Sequence, residues 1–145
     1  MNQTLSNSAT GQEEIVTGTL PPERILPQMR EAARLLHSAG IEKVLVGYGW
    51  GCNLNPADLW QSVEVDLTRL DQFAADAERT GIYRAGSADL IVADASASFQ
   101  LLFCHEADIH FKTGDSALLL RMKELWEGQG ITVMRKVATG EWTPA

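Results

Sequence analysis

The 145-residue sequence predicts an α+β fold with a mainly antiparallel sheet of about five to six strands and helices packed on one face. Apolar residues recur at every second position in several short runs, which is typical of strands, and turn-forming residues separate neighbouring runs. Other segments repeat apolar residues every three or four positions, as amphipathic helices do. The predicted order is helix, two strands, helix, three strands, helix, strand. Hairpins therefore dominate over alternating β-α-β units, which favours antiparallel pairing.

The sequence predicts one domain between two tails. Residues 1–20 are rich in Asn, Gln, Ser, Thr and Gly and show no apolar period, so we interpret them as a flexible N-terminal tail. Residues 21–137 form the predicted α+β domain. Residues 138–145 lack a clear period and are interpreted as a C-terminal tail.

The first predicted helix begins near Leu26, because Pro27 is tolerated only in the first turn of a helix, and it ends at Gly40. Two strands follow, over residues 41–48 and 58–65, with a glycine-rich bend between them.

The second predicted helix follows Asp66, a suitable N-cap residue, and ends at Gly81. A strand over residues 88–93 comes next. The last predicted helix starts after a cap at Asp115 or Ser116, and a final strand occupies residues 131–137.

Residues 98–112 are the stretch around which the sheet is predicted to form. Their alternating apolar residues fall into two groups that flank the polar residues 105–108, which predicts two strands joined by a short turn. Polar residues alternate with the apolar ones in the second strand, so we expect that face to be at least partly solvated. The apolar residues are Phe99, Leu101, Phe103, Ile109 and Phe111, and the polar ones are Asp108, His110 and Lys112.

Charge and composition exclude several classes of function. The net charge is −7 and no stripe of Lys or Arg is present, so nucleic-acid binding is not expected. No apolar run approaches the roughly 18 residues that a membrane span needs, and residues 1–11 do not resemble a secretory signal. With only two cysteines, the chain fits a cytoplasmic protein with reduced thiols.

The leading functional hypothesis is a small acidic protein that acts by contact with another, basic protein, as immunity proteins, antitoxins and inhibitors do. The sequence has no hydrolase, kinase or nucleotide-binding signature, and no helix directly follows the glycines of the bend to bind a phosphate. We therefore expect a non-enzyme without a cofactor. A homodimer that buries one face of the sheet is a further alternative. The candidate contact residues are Tyr48, Trp50, Asp58, Trp60 and Glu64.

The alternative hypothesis is a metal-binding module or small metalloenzyme that holds zinc or another divalent ion. Thiolate, imidazole and carboxylate are the usual zinc ligands, and four of them occur close together at Cys104, His105, Asp108 and His110. On a continuous strand Cys104, Glu106, Asp108 and His110 would point the same way at intervals of about 7 Å, which is too far apart for them to converge on one ion. The hypothesis therefore requires a tight turn at residues 105–107. A nucleophilic Cys–His pair is a weaker alternative, because the sequence offers no residue to orient the base.

Overall fold

The computed structural model describes residues 11–137 and 139–145, and it confirms the predicted fold class. This part of the chain forms one open antiparallel sheet of eight strands with three α-helices packed on it. The helices are α1 (Ile25–Ser38), α2 (Leu70–Arg79) and α3 (Ser116–Glu127). The strands are β1 (Glu13–Thr17), β2 (Lys43–Tyr48), β3 (Ser62–Asp66), β4 (Leu90–Ala93), β5 (Phe99–Phe103), β6 (Ile109–Thr113), β7 (Val133–Lys136) and β8 (Trp142–Pro144). Their spatial order is β3-β2-β4-β5-β6-β1-β7-β8.

The centre of the sheet is the predicted pair of strands β5 and β6. Leu101 lies opposite Val92 of β4 on one side and Phe111 of β6 on the other, and all three side chains are fully buried. The alternation of β5 and β6 thus directs one set of side chains into the core beneath the helices. None of the three described helices lies over the opposite face, where Asp108, His110 and Lys112 are half-buried.

Two of the three helices begin with the residues that the sequence predicted for their first turn or N-cap. Pro27 lies in the first turn of α1, and the Asp115 carboxylate caps α3 by accepting hydrogen bonds from the backbone N–H groups of Ala117 and Leu118. Asp66 precedes the turn that leads into α2, but its side chain makes no capping hydrogen bond. It pairs instead with Lys43 on the neighbouring strand, at 2.7 Å. No helix in the described part of the chain is long and apolar enough to cross a membrane.

The prediction of a flexible tail over residues 1–20 is wrong for residues 13–17, while residues 1–10 lie outside the described part of the chain. Residues 13–17 form β1, an inner strand that pairs with both β6 and β7. Strand β8 lies within the predicted C-terminal tail and pairs with β7. The sheet therefore has eight strands in the described residues rather than five to six.

Candidate functional site

The turn between β5 and β6 meets the requirement of the metal hypothesis. The backbone N–H of Cys104 donates to the carbonyl oxygen of Asp108 at 2.9 Å, and the N–H of Ala107 donates to the carbonyl oxygen of Cys104 at 3.0 Å. Ala107 has a φ of +65°, the left-handed conformation that such a tight turn requires. The turn places Cys104, at the end of β5, across from Asp108, at the start of β6.

Cys104, Asp108 and His110 come together at this turn, and we call them the Cys104 cluster. One ligand atom from each lies within 4.8 Å of the other two. Nε2 of His110 is 3.1 Å from Oδ1 of Asp108, and its Nδ1 is 3.0 Å from Oε2 of Glu14. Both ring nitrogens of His110 thus contact a carboxylate. Glu14 comes from β1, so the sequence interpretation, which treated this segment as a tail, missed it.

The electrostatics of the cluster favour a charged histidine. Burial alone would lower the pKa of His110, but the hydrogen bonds and charges of Asp108 and Glu14 outweigh it and raise this pKa to about 9. Burial would likewise raise the pKa values of Glu14 and Asp108, but the interaction with His110 lowers both below their ordinary values. Metal-free protein at neutral pH therefore holds a carboxylate–imidazolium–carboxylate arrangement.

This arrangement predicts a pH-dependent stability of chelator-treated protein. Because the pKa of His110 is raised from 6.5 to about 9, its stabilising contribution is full below pH 6.5 and is lost as the pH rises through about 9. One pKa unit corresponds to about 1.4 kcal/mol, and solvent screening reduces the effect, so we expect a loss on the order of 1–2 kcal/mol. Urea unfolding at several pH values measures this loss.

The His110→Gln variant is the control for this pH dependence, since a neutral amide cannot titrate. The other charged or titratable groups near the imidazole are Glu14, Asp108, Lys112, Lys136 and Cys104. The carboxylates of Glu14 and Asp108 belong to the same ion pairs with His110. Because their pKa values are lowered, the stability that their charged forms contribute is lost only in acid, outside the range from pH 6.5 to 9. An equal loss of stability between pH 6.5 and 9 in wild type and variant would contradict the assignment to His110.

His105, the fourth residue of the metal hypothesis, belongs to a different arrangement. Its Nδ1 is 2.8 Å from Oδ1 of Asp89, and its backbone N–H donates to the same oxygen at 2.7 Å. Asp89, Cys104 and His105 also bring one ligand atom each within 4.8 Å of one another. The four predicted ligands are thus divided between two groups that share Cys104. Asp89 precedes β4 and carries no local sequence signal that would connect it with residue 105.

The geometry does not support Cys104 as a nucleophile. Its sulfur lies 3.8 Å from Nδ1 of His105, the same nitrogen that contacts Asp89, whereas a triad histidine uses one ring nitrogen for each partner. Burial, together with the nearby carboxylates of Asp108 and Asp89, raises the pKa of the Cys104 thiol to about 11. The thiol is therefore protonated and unreactive at neutral pH in metal-free protein.

Two tryptophans are the most exposed large apolar residues of the described part of the chain. The side chains of Trp50 and Trp60 are 63% and 62% exposed, and both lie on the loop that joins β2 to β3. We call these two residues the aromatic platform. Asp58, on the same loop, and Glu64, on β3, are also exposed.

Tyr48, the remaining predicted contact residue, lies apart from the platform. It is half-buried, and its ring stacks on Phe73 of α2 with the ring centroids 5.8 Å apart. This position fits packing between sheet and helix rather than an exposed contact surface.

The aromatic platform is held in place by backbone and ring contacts. The backbone of Trp60 has a φ of +68°. A Cβ atom at residue 49 would lie 2.6 Å from the Trp60 ring, so the ring can lie there only because residue 49 is glycine. The N–H of Trp60 donates to the carbonyl oxygen of Tyr48 at 2.8 Å, and the carbonyl oxygen of Trp50 accepts from the N–H of Asp89 at 2.7 Å. The Trp50 ring meets the His105 ring edge-on, with centroids 6.0 Å apart.

Comparison with known proteins adds no relative, since no family model, curated protein or solved structure matches this chain.

Proposed function

We propose that this protein acts by binding another protein through the aromatic platform. The observation that carries the proposal is the exposure of Trp50 and Trp60 together with their fixed backbone. Two exposed tryptophans on one loop expose a large apolar area to water, and the positive φ of Trp60 adds strain, so the pair supports a role in binding. Both features occur on one loop.

Tryptophan is suited to this role because it buries a large area with few rotatable bonds. Each ring can remove about 150–250 Å² from water, and tryptophan is among the residues most enriched at the energetic centres of interfaces. The contacts of Trp60 with Gly49 and of Trp50 with His105 orient the rings before a partner arrives. Such preorganisation lowers the entropy lost on binding.

The charge of the chain points to a basic partner. With a net charge of −7 and exposed carboxylates at Asp58, on the platform loop, and Glu64, on β3, the surface would attract a protein whose binding pocket has a basic rim. An inhibitor-like or immunity-like role suits this chemistry. Cys52 and Cys104 are unpaired thiols, which fits the reducing cytoplasm as the place of the interaction.

The test compares the double variant Trp50→Ala/Trp60→Ala with wild type. A partner is first captured from lysate at low salt and identified, and its affinity is then measured by titration calorimetry. We expect the double variant to bind at least about 100-fold more weakly, because two central tryptophans are removed. We also expect the wild-type association rate to fall as salt increases.

Leu120→Ala is the matched control. Leu120 is also an exposed apolar residue, at 51%, but it lies on α3 rather than on the platform loop. The Leu120→Ala variant should bind the partner with the affinity of the wild type. Circular dichroism checks that all variants are folded. An unchanged affinity in the double variant would refute the proposal. Self-association that is abolished by the double variant, seen by sedimentation, would identify a second copy as the occupant instead.

A further inference from the structure

We infer that Cys104, Asp108 and His110 form a zinc site, in which Glu14 is the positioning residue. The inference is independent of the aromatic platform and concerns the other cluster of chemically active side chains. It rests on the convergence of the ligand atoms, on the hydrogen bond that orients the imidazole and on the mixture of ligand types.

Two of the three ligand atoms already have the spacing of a coordination sphere. Two ligands about 2.0–2.1 Å from a tetrahedral zinc ion lie about 3.3 Å from each other, and Nε2 of His110 is 3.1 Å from Oδ1 of Asp108. Sγ of Cys104 and one ligand atom each from Asp108 and His110 all lie within 4.8 Å of one another, so small shifts of side chains would bring the three ligands together. The β5–β6 turn supplies this convergence through its closing hydrogen bond between Cys104 and Asp108.

Glu14 supplies the second observation. Metal-binding histidines usually donate their other ring N–H to a carboxylate, which fixes the tautomer and directs the free nitrogen at the ion. Here Nδ1 of His110 contacts Oε2 of Glu14 at 3.0 Å, and this leaves Nε2 free to contact Asp108, at 3.1 Å. Glu14 is 96 residues away from His110 in the chain, so the pairing comes from the fold and not from local sequence.

The ligand set selects the class of metal. One sulfur, one nitrogen and one oxygen suit zinc and similar borderline-soft divalent ions, whereas magnesium and calcium prefer oxygen ligands alone. The site can be reached from solvent, because the His110 side chain is 21% exposed on the face of the sheet without helices. Three protein ligands leave the fourth tetrahedral position to water.

The experiment measures metal binding in full-length protein purified without chelator. Elemental analysis gives the zinc content, and titration with cobalt reports the ligands, since a thiolate bound to cobalt gives a charge-transfer band in the near ultraviolet. We expect one ion per chain and a thiolate band in wild type, and neither in Cys104→Ser or His110→Ala. Glu14→Gln should keep one ion but bind it about 10–100-fold more weakly, since it removes only the orienting carboxylate.

Three variants are controls because they leave the proposed ligands intact. Cys52→Ser and His37→Ala change the other thiol and an exposed histidine on α1, and the double tryptophan variant changes only the platform. All three should retain one ion. If Cys104→Ser does not fold by circular dichroism, Asp108→Asn takes its place.

Three results would overturn the zinc site. In the first, the wild-type protein contains no zinc and also fails to bind cobalt. In the second, the ligand variants retain the ion unchanged. In the third, the cobalt spectrum of the wild type lacks a thiolate band. In the first case Glu14, Asp108 and His110 would form an ion-paired arrangement alone, and in the other two the ion would be bound without the thiolate of Cys104 or at another place. Loss of the zinc site would leave the proposed protein contact untouched, because that proposal is tested by different variants.

Discussion

Replacing Ile15 by alanine is expected to lower the free energy of unfolding by about 2–5 kcal/mol. Ile15 is the central residue of β1, its side chain is 1% exposed, and it lies opposite Phe111 of β6 and Arg135 of β7. The variant would leave a cavity between the middle of the sheet and α3, which packs on β1. Because small domains are stable by only about 5–15 kcal/mol, urea unfolding should detect a large shift of the midpoint.

Glu13→Ala is the matched control for Ile15. Glu13 lies on the same strand but is exposed, so its replacement should change stability by less than about 0.5 kcal/mol. If both variants unfold at the wild-type midpoint, and a chain that starts at residue 21 folds as stably as the full chain, β1 does not contribute to the fold. The original interpretation of residues 1–20 as a tail would then be correct.

The strands that the sequence predicted are those with a long local pattern. β5 and β6 alternate over five residues each and join through one turn, so their pairing is local and their period is visible. β1 has only Ile15 and Val16 as strongly apolar residues and follows a polar segment. Its position depends on partners such as Phe111, which no local pattern indicates.

The candidate site divides in the same way. Cys104, Asp108 and His110 are close in sequence, and the turn that unites two of them was recognisable from the polar residues between two apolar runs. Glu14 and Asp89 were not recognisable, because each reaches its histidine through strand pairing or loop packing across the fold. Residue type and spacing therefore indicated the ligands but not the residues that orient them.

The two proposed features are neighbours through His105. This residue follows Cys104 in the chain, is fixed by Asp89 and meets the ring of Trp50. His105 thus lies between the β5–β6 turn and the aromatic platform, although it is a ligand of neither proposed site.

Gly51→Ala is the second substitution for which we expect a large effect, roughly 2–5 kcal/mol of lost stability. Gly51 has a φ of +85°, and a Cβ atom there would lie 2.5 Å from the carbonyl oxygen of Ser87 and 3.0 Å from Cα of Ala88. Both neighbours are backbone atoms, so the chain itself must move, and this adds to the strain of a left-handed alanine. Since Trp50 directly precedes Gly51, we also expect altered tryptophan fluorescence and weaker partner binding.

Gly40→Ala separates the backbone strain of a left-handed alanine from the steric clash of its Cβ atom. Gly40 has a similar φ of +95° just after α1, but a Cβ atom there would meet nothing within 4 Å, so only the backbone strain of about 1–2 kcal/mol applies. The difference between the two variants in urea unfolding therefore measures the clash of residue 51 with the backbone at residues 87 and 88. An equal loss of stability in the two variants would mean that the loop around residue 51 relaxes freely. The aromatic platform would then lack the rigid support on which its proposed role depends.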